Sequence, residues 1–339
     1  MQSPKTDFSF VETSMMQRVV FGAILESVRQ NIFDTLDNGP LTAAQVAEMH
    51  DFQTNETEAL LDILTGKGLL EQGPDGYSNT MTASEHLVST SPFYQGKALE
   101  LHARFNETVQ HNLLRMLQGK SQIREDVDEG WGLEDNMIGT LQHAHMGALQ
   151  DTIAFISRLP GLDQSGRICD IGGNHGEFSL SLLERYPAMK GDLLDLDHVA
   201  KAAEKRIADR GLSQRLSAIP FDLRKNHLRE NHYDLILTSH ILYAFINELE
   251  QFAHIFHAAL KPGGWFVSHH LNPSGDLDKN YVIAVQFITR MAGYSTHFIE
   301  GSQLKNALNA AGFSNILSSP AGKRRSGLLI AAQKAPVPS

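Results

Sequence analysis

The sequence predicts an α/β protein: a doubly wound parallel sheet in the C-terminal half, preceded by a helical connector and a small helical unit closed by a β-hairpin. Three observations carry this. Arg167-Ile168-Cys169-Asp170-Ile171 is a short apolar run that ends on a glycine-rich turn, and helical spacing follows through Leu180, Leu182, Leu183 and Tyr186. Four further strand-like runs come in order, at Gly191 to Leu196, Ile219 to Leu223, Tyr233 to His240 and Trp265 to Val267, the first two carrying a carboxylate at or near their ends. Ahead of residue 90, two helical patterns and a hairpin pattern stand apart from all of this.

Taken in chain order, residues 12–90 form the first unit. Helical periodicity runs through Val19, Val20, Ile24, Leu25, Val28, Ile32 and Leu36, and Asn38-Gly39-Pro40 breaks it. Thr42 reads as the cap of a second helix, and Glu56 to Leu64 as a third. Leu69-Leu70-Glu71 and Tyr77-Ser78-Asn79-Thr80, joined by Gly73-Pro74-Asp75-Gly76, read as a hairpin. Helix-turn-helix plus hairpin is a winged helix. Its charge argues against DNA, because the helix that would enter the groove carries Glu56, Glu58 and Asp62, and phosphates require Lys and Arg there. The apolar face of residues 15–37 is instead expected to bury against a second copy, giving a homodimer. Residues 91–160 read as a helical connector with an acidic loop from Arg124 to Gly132.

Residues 161–335 hold the sheet. In the turn, glycines let backbone approach a ligand that a Cβ would exclude, and the following helix offers unsatisfied N–H groups. Gly172, Gly173 and Gly176 do not spell the G-x-G-x-x-G dinucleotide fingerprint. Asp195, with Leu196 beside it, ends the second strand where an acidic residue can accept hydrogen bonds from both hydroxyls of a ribose. Asp222 and Leu223 fall near an adenine edge, and Ser239 closes the fourth strand in the same ligand-binding set.

Composition narrows the class. No apolar run reaches the length of a membrane span, and the polar start Met1-Gln2-Ser3-Pro4 has no signal-peptide core, so a cytoplasmic protein is expected. The single cysteine, Cys169, excludes a disulfide framework and a thiolate cage. A net charge of −10 argues against general nucleic-acid binding.

This ordered set of motifs resembles the class I S-adenosylmethionine (SAM)-dependent methyltransferases, with their Rossmann-like seven-stranded domain. The winged helix ahead of it resembles the small-molecule O- and C-methyltransferases of secondary metabolism, whose N-terminal unit makes an intertwined homodimer. The resemblance implies that Asp170, Gly172, Gly173 and Gly176 hold the amino acid part of SAM, Asp195 the ribose, and Asp222 with Leu223 the adenine. Plant O-methyltransferases place a His-Asp pair after the fourth strand and two orienting Glu further on. Here those positions read Tyr243-Ala244, His270 and His297, so the phenol-deprotonating base is replaced and two carboxylates become imidazoles.

His240 and His270 end successive strands, and His297 lies in a loop that can reach the same rim. Three neutral imidazoles are a suitable ligand set for zinc or iron with positions left open for substrate. The pattern resembles the metal-dependent α-keto-acid C-methyltransferases of antibiotic amino-acid biosynthesis. That resemblance implies carbon methylation of a 2-oxo acid through a metal-stabilised enolate, with Arg104 meeting the carboxylate, Arg124 as second choice, and Tyr243 touching substrate or tuning the metal. Two readings stay open beside it: a metal-free acid–base site of Tyr243 and His270 acting on an O or N atom of an aromatic or tetrapyrrole-like metabolite, and incidental histidines. His269 and His270 point to opposite faces of a continuing strand, and the alignment favours His270. His143 and His145 stand on the helix leading into the sheet domain. A SAM-binding winged-helix regulator is the non-enzyme alternative.

Overall fold

The computed structural model describes residues 3–120, 123–162, 166–322 and 324–337. The chain divides into two units, Met1–His102 and Ala103–Ser339.

In the first unit α1 (Ser9–Arg29) stops earlier than the hydrophobic spacing predicts, because Asn31 turns left-handed at φ 56° and starts α2 (Ile32–Thr35). Asn is among the few residues that adopt this conformation readily. α3 (Ala43–His50) and α4 (Thr54–Gly66) follow, then β1 (Leu70–Gly73) and β2 (Gly76–Asn79) pair antiparallel, and α5 (Met81–His86) completes the winged helix. Val28, Ile32, Phe33, Leu36, Val46, Leu61 and Leu64 make its core.

The division between units falls inside α6 (Gly96–Leu117). Beyond it come α7 (Ile123–Gly130), α8 (Glu134–Ala144) and α9 (Ala148–Ile156). Thus the expected acidic loop is a helix through Gly130. Its run of Ile, Arg, Glu, Asp and Val contains no glycine before that end, and charged residues at the surface of a short helix need no loop.

The sheet domain alternates β3 (Arg167–Ile171), α10 (Glu177–Arg185), β4 (Lys190–Asp195), α11 (Asp197–Asp209), β5 (Leu216–Pro220), β6 (Tyr233–Ser239), α12 (Leu249–Ala259), β7 (Leu260–Leu271), α13 (Lys279–Met291), α14 (Gly301–Ala310), β8 (Phe313–Ala321) and β9 (Gly327–Lys334). Seven strands order as β5-β4-β3-β6-β7-β9-β8, with β9 antiparallel to both neighbours and the others parallel. β5 begins and ends earlier than expected, so Asp222 lies beyond it in a turn. Pro220 is tolerated because β5 is an edge strand. Alternation along β7 separates two cores. Trp265 and Val267 pack with residues of α8 to α11, and Phe266 with Phe256, Leu304 and Phe313 on the other face.

Thr42 forms a capping box, accepting from the Gln45 N–H while the Gln45 side chain accepts from the Thr42 N–H. Thr42→Ala should lower the stability of the first unit by about 1 kcal/mol, measured as a shift of the urea midpoint at unchanged slope.

Candidate active site

Ligands of doubly wound sheets bind beyond the carboxyl ends of the strands, where the order reverses. Here that point lies between β3 and β6, and the turn after β3 is built for close approach. Gly172 adopts φ 69°, and a Cβ on it would stand 2.6 Å from the Ile241 side chain. A Cβ on Gly173 would meet Leu193 at 2.6 Å. The turn is pinned to the next strand, since the Gly172 N–H donates to the Leu194 carbonyl at 2.7 Å and the Asn174 N–H to Asp195 Oδ2 at 2.9 Å. Asp195 Oδ1 also accepts from the Leu196 N–H at 2.8 Å.

Asp170 is buried, and Ser179 Oγ donates to its carboxylate at 2.6 Å. Burial pushes the Asp170 carboxyl up to about 6, against the Ser179 hydrogen bond and with help from the charge of Asp195. Asp195 rises likewise to about 6 by burial, although the Asn174 and Leu196 amides pull it down. Two carboxylates beside a glycine cradle suit a donor that carries ammonium, sulfonium and ribose hydroxyl groups. Asp222 differs: burial works against its charge, but hydrogen bonds from Arg224 and Lys225 bring it down to about 2. Leu223 is buried and packs with Leu194.

Four imidazoles gather next to this cleft. Ser239 pairs with His269 across β6 and β7, and Ser239 Oγ lies 3.1 Å from His269 Nδ1. Strict alternation would send His240 to the face of His270. Instead His240 turns left-handed at φ 52°, its N–H donates to the His269 carbonyl at 2.9 Å, and its ring meets the His269 ring at 4.5 Å between centroids. The His297 ring stands 6.1 Å from that of His240 and stacks on Tyr243 at 4.2 Å and 15°. Tyr294 meets Tyr243 edge to face at 5.2 Å. His143 lies close enough to oppose protonation of His240, His269 and His297.

Burial, then the neighbouring imidazoles, hold His240, His269 and His297 neutral. His240 falls well below its ordinary value, and His269 and His297 fall to about 4. His297 Nδ1 shares a hydrogen bond with Thr289 Oγ1 at 3.3 Å, which orients the ring.

His270 lies on the other face of β7 from His269 and reaches this group only through its charge on His240, so the expected triad of His240, His270 and His297 does not gather on one face. It continues the face of Phe266, its Nδ1 lies 3.1 Å from Ser268 Oγ, and burial takes it down to about 3. Counting along the pleat missed the reversal at His240, which no residue type announces. Among the described residues, no group of three or more His, Cys, Asp or Glu is placed to hold a metal ion. Arg104 donates to Asn136 Oδ1 at 2.7 Å on α8, and the side chain of Arg124 lies outside the described residues. The sequence weighs His269 against His270 and favours the latter, and it does not single out Tyr294. Register against β6 would have found His269, and Tyr294 carries no local signal.

A glycine cradle with two raised carboxylates thus stands at the reversal of strand order in an α/β sheet of seven strands, of which β9 alone is reversed. Residues 141–318 match the family described as a methyltransferase domain, and residues 14–89 match the O-methyltransferase dimerisation domain. The chain belongs to the SAM-dependent methyltransferases of the O-methyltransferase family. It is similar to the 3-hydroxy-5-methyl-1-naphthoate 3-O-methyltransferase of Streptomyces sahachiroi, with 28% identity over 64% of this chain and 63% of the relative. It is also similar to an N,N-dimethyltransferase of Streptomyces rimosus, with 27% identity over 74% of each. The fold matches that of human N-acetylserotonin methyltransferase in complex with SAM, at a TM-score of 0.73 and 19% identity, over 98% of this chain and all of the other. Among the described residues no helix is long and apolar enough to cross a membrane.

The carboxylates set a pH dependence. Asp170 and Asp195 hold protons more tightly folded than unfolded, so raising pH from 3.8 to about 6 ionises them at the expense of folded stability. A cationic donor reverses that cost. SAM binding should therefore release protons near pH 6 and weaken as pH falls below it, read by calorimetry in buffers of different ionisation enthalpy. Asp195→Ala should weaken SAM binding ~10-fold or more, as charged hydrogen bonds worth about 1.5–3 kcal/mol require. Unchanged affinity would remove Asp195 from the donor site.

Proposed function

We propose that this protein transfers a methyl group from SAM to an oxygen or nitrogen of a small aromatic metabolite, with His297 taking the acceptor's proton and Tyr243 orienting the acceptor. The observation that carries this is the stack of Tyr243 on His297, within a neutral imidazole cluster at the mouth of the glycine cradle. A groove of about 360 Å³ lies beside it, lined by Tyr243, Phe245, Phe252 and Tyr294 together with polar Arg224, Glu248 and Gln251. The two Streptomyces relatives, named for O- and N-methyl transfer, support the same reading.

Bound SAM supplies an electrophilic methyl group on a sulfonium, leaving S-adenosylhomocysteine when the carbon–sulfur pair stays on sulfur. The protein's part is alignment and proton removal. As the acceptor's lone pair forms the new bond to carbon, its O–H or N–H proton passes to the His297 nitrogen that Thr289 does not engage. A neutral imidazole is ready to accept it, and the proton is stabilised there by the partial negative charge on the acceptor. Nothing supports carbon methylation of a 2-oxo acid on a zinc- or iron-held enolate: among the described residues no group is placed to hold a metal ion, and the relatives are named for O- and N-methyl transfer.

Tyr243→Ala and His297→Ala should each lower methyl transfer to naphthols, phenols or aryl amines by about 100-fold or more, while SAM binding stays within twofold. Release of labelled methyl across such a panel is the measurement, and undiminished turnover in both variants would refute the assignment. Homodimerisation belongs to the same proposal. α1 and the Phe8 that precedes it leave Phe8, Phe10, Met15, Met16 and Val19 exposed, apolar surface that a second subunit would cover. Light scattering should report twice the 37.5 kDa of one chain, and a monomer at micromolar concentration would overturn it.

A further inference from the structure

Asp128, on α7, touches three parts of the site that are far apart in sequence. Its carbonyl accepts from His198 Nε2 at 2.9 Å, and His198 opens α11 just past Asp195 and Leu196. Its Oδ2 pairs with Arg224 Nη1 at 3.5 Å, while Arg224 Nε holds Asp222 Oδ1 at 2.8 Å. Its Oδ1 accepts from the Tyr294 hydroxyl at 3.4 Å, and Tyr294 packs on Tyr243 at 5.2 Å between centroids, which in turn stacks on His297. The Asp128 side chain is only 24% exposed, so its ties are partly shielded from screening.

We propose that Asp128 is a positioning residue that couples occupation of the donor cleft to the aromatic wall on the acceptor side, and this rests on the donor-site reading above. The coupling follows from a shared cation. Arg224 divides its charge between Asp222 and Asp128. When an adenine amino group donates to Asp222, the claim of that carboxylate on Arg224 weakens and the guanidinium turns to Asp128. α7 is then held more firmly across the cleft, and Tyr294 is held with it through the same carboxylate. Donor binding thereby orders Tyr294 against Tyr243, and the acceptor meets a formed wall only when the donor is in place. His198 fixes the other end of the link on the ribose side.

S-adenosylhomocysteine, which lacks the transferable methyl group, is the probe, and hydrogen exchange with peptide resolution is the readout. In the unmodified protein it should slow exchange both at 172–176 and at 292–298. In Asp128→Ala the first protection should remain and the second should vanish, with affinity falling about fivefold or more, the low end of ordinary coupling between sites. Asp128→Glu, which keeps the charge, should restore protection at 292–298. Tyr294→Phe cuts the same link from its other end and should also lose protection there, which covers an Asp128→Ala protein that fails to fold. Persistent protection at 292–298 in either truncating variant overturns the coupling alone. Absence of protection at 172–176 in the unmodified protein overturns the donor-site reading, and the coupling with it.

Discussion

The turn between β3 and α10 holds its shape because the neighbouring strand holds it. Gly172 and Asn174 donate their N–H groups to the end of β4, and Gly176 closes the turn by donating to Gly173 at 2.8 Å. With those amides committed, the chain passes Leu193 and Ile241 closer than any side chain on Gly172 or Gly173 would permit. That single constraint places Asp170 under the turn, Asp195 beside it and α10 behind it. It also sets the electrostatics, since two carboxylates brought into a water-poor crevice resist ionising together. A cationic ligand relieves that resistance, so the binding site and its strain have one origin.

Much of this was legible in the residues. Strand, glycine turn and helix at 167–178, the acidic strand ends and the winged helix all rest on local signals: period, breaker and cap. The places where the sequence misled are those where long-range packing chose among local options. Gln30 and Asn31 continue a helical pattern on paper, yet Asn31 accepts a left-handed turn and the helix ends. The acidic stretch at 124–130 looks like a loop by charge and is a helix by propensity. His240 is the consequential case. Whether it faces His269 or His270 depends on one backbone angle, and histidine is neither required for that angle nor excluded from it.

That angle changes the chemistry the site can support. Had His240 continued the strand, it would share the face of Ser268 and His270, above Phe266 and Phe256, away from the ring of His269. By reversing, it joins His269, His297 and His143 in the group beside Tyr243. The rings of His240, His269 and His297 are poor places for a proton, because burial and the neighbouring imidazoles oppose it. An acceptor that develops negative charge as it loses its proton changes the balance, since an imidazolium next to that charge is an ion pair rather than an isolated cation. The same group that is inert toward solvent protons is thus receptive to one proton from one direction.

The aromatic wall completes this logic. Tyr243 and Tyr294 lie in segments that β6 and α13 deliver from different sides of the sheet edge, and neither segment has a regular strand or long helix to fix it. Stacking on His297 and the carboxylate of Asp128, itself paired with Arg224 beside Asp222, contribute to their order. Side-chain contacts of this kind hold a wall less firmly than a strand or long helix would. In a methyl-transfer site softness of that kind is useful. Water can leave as the donor arrives, and the acceptor's nucleophilic atom is aligned by rings that have already settled.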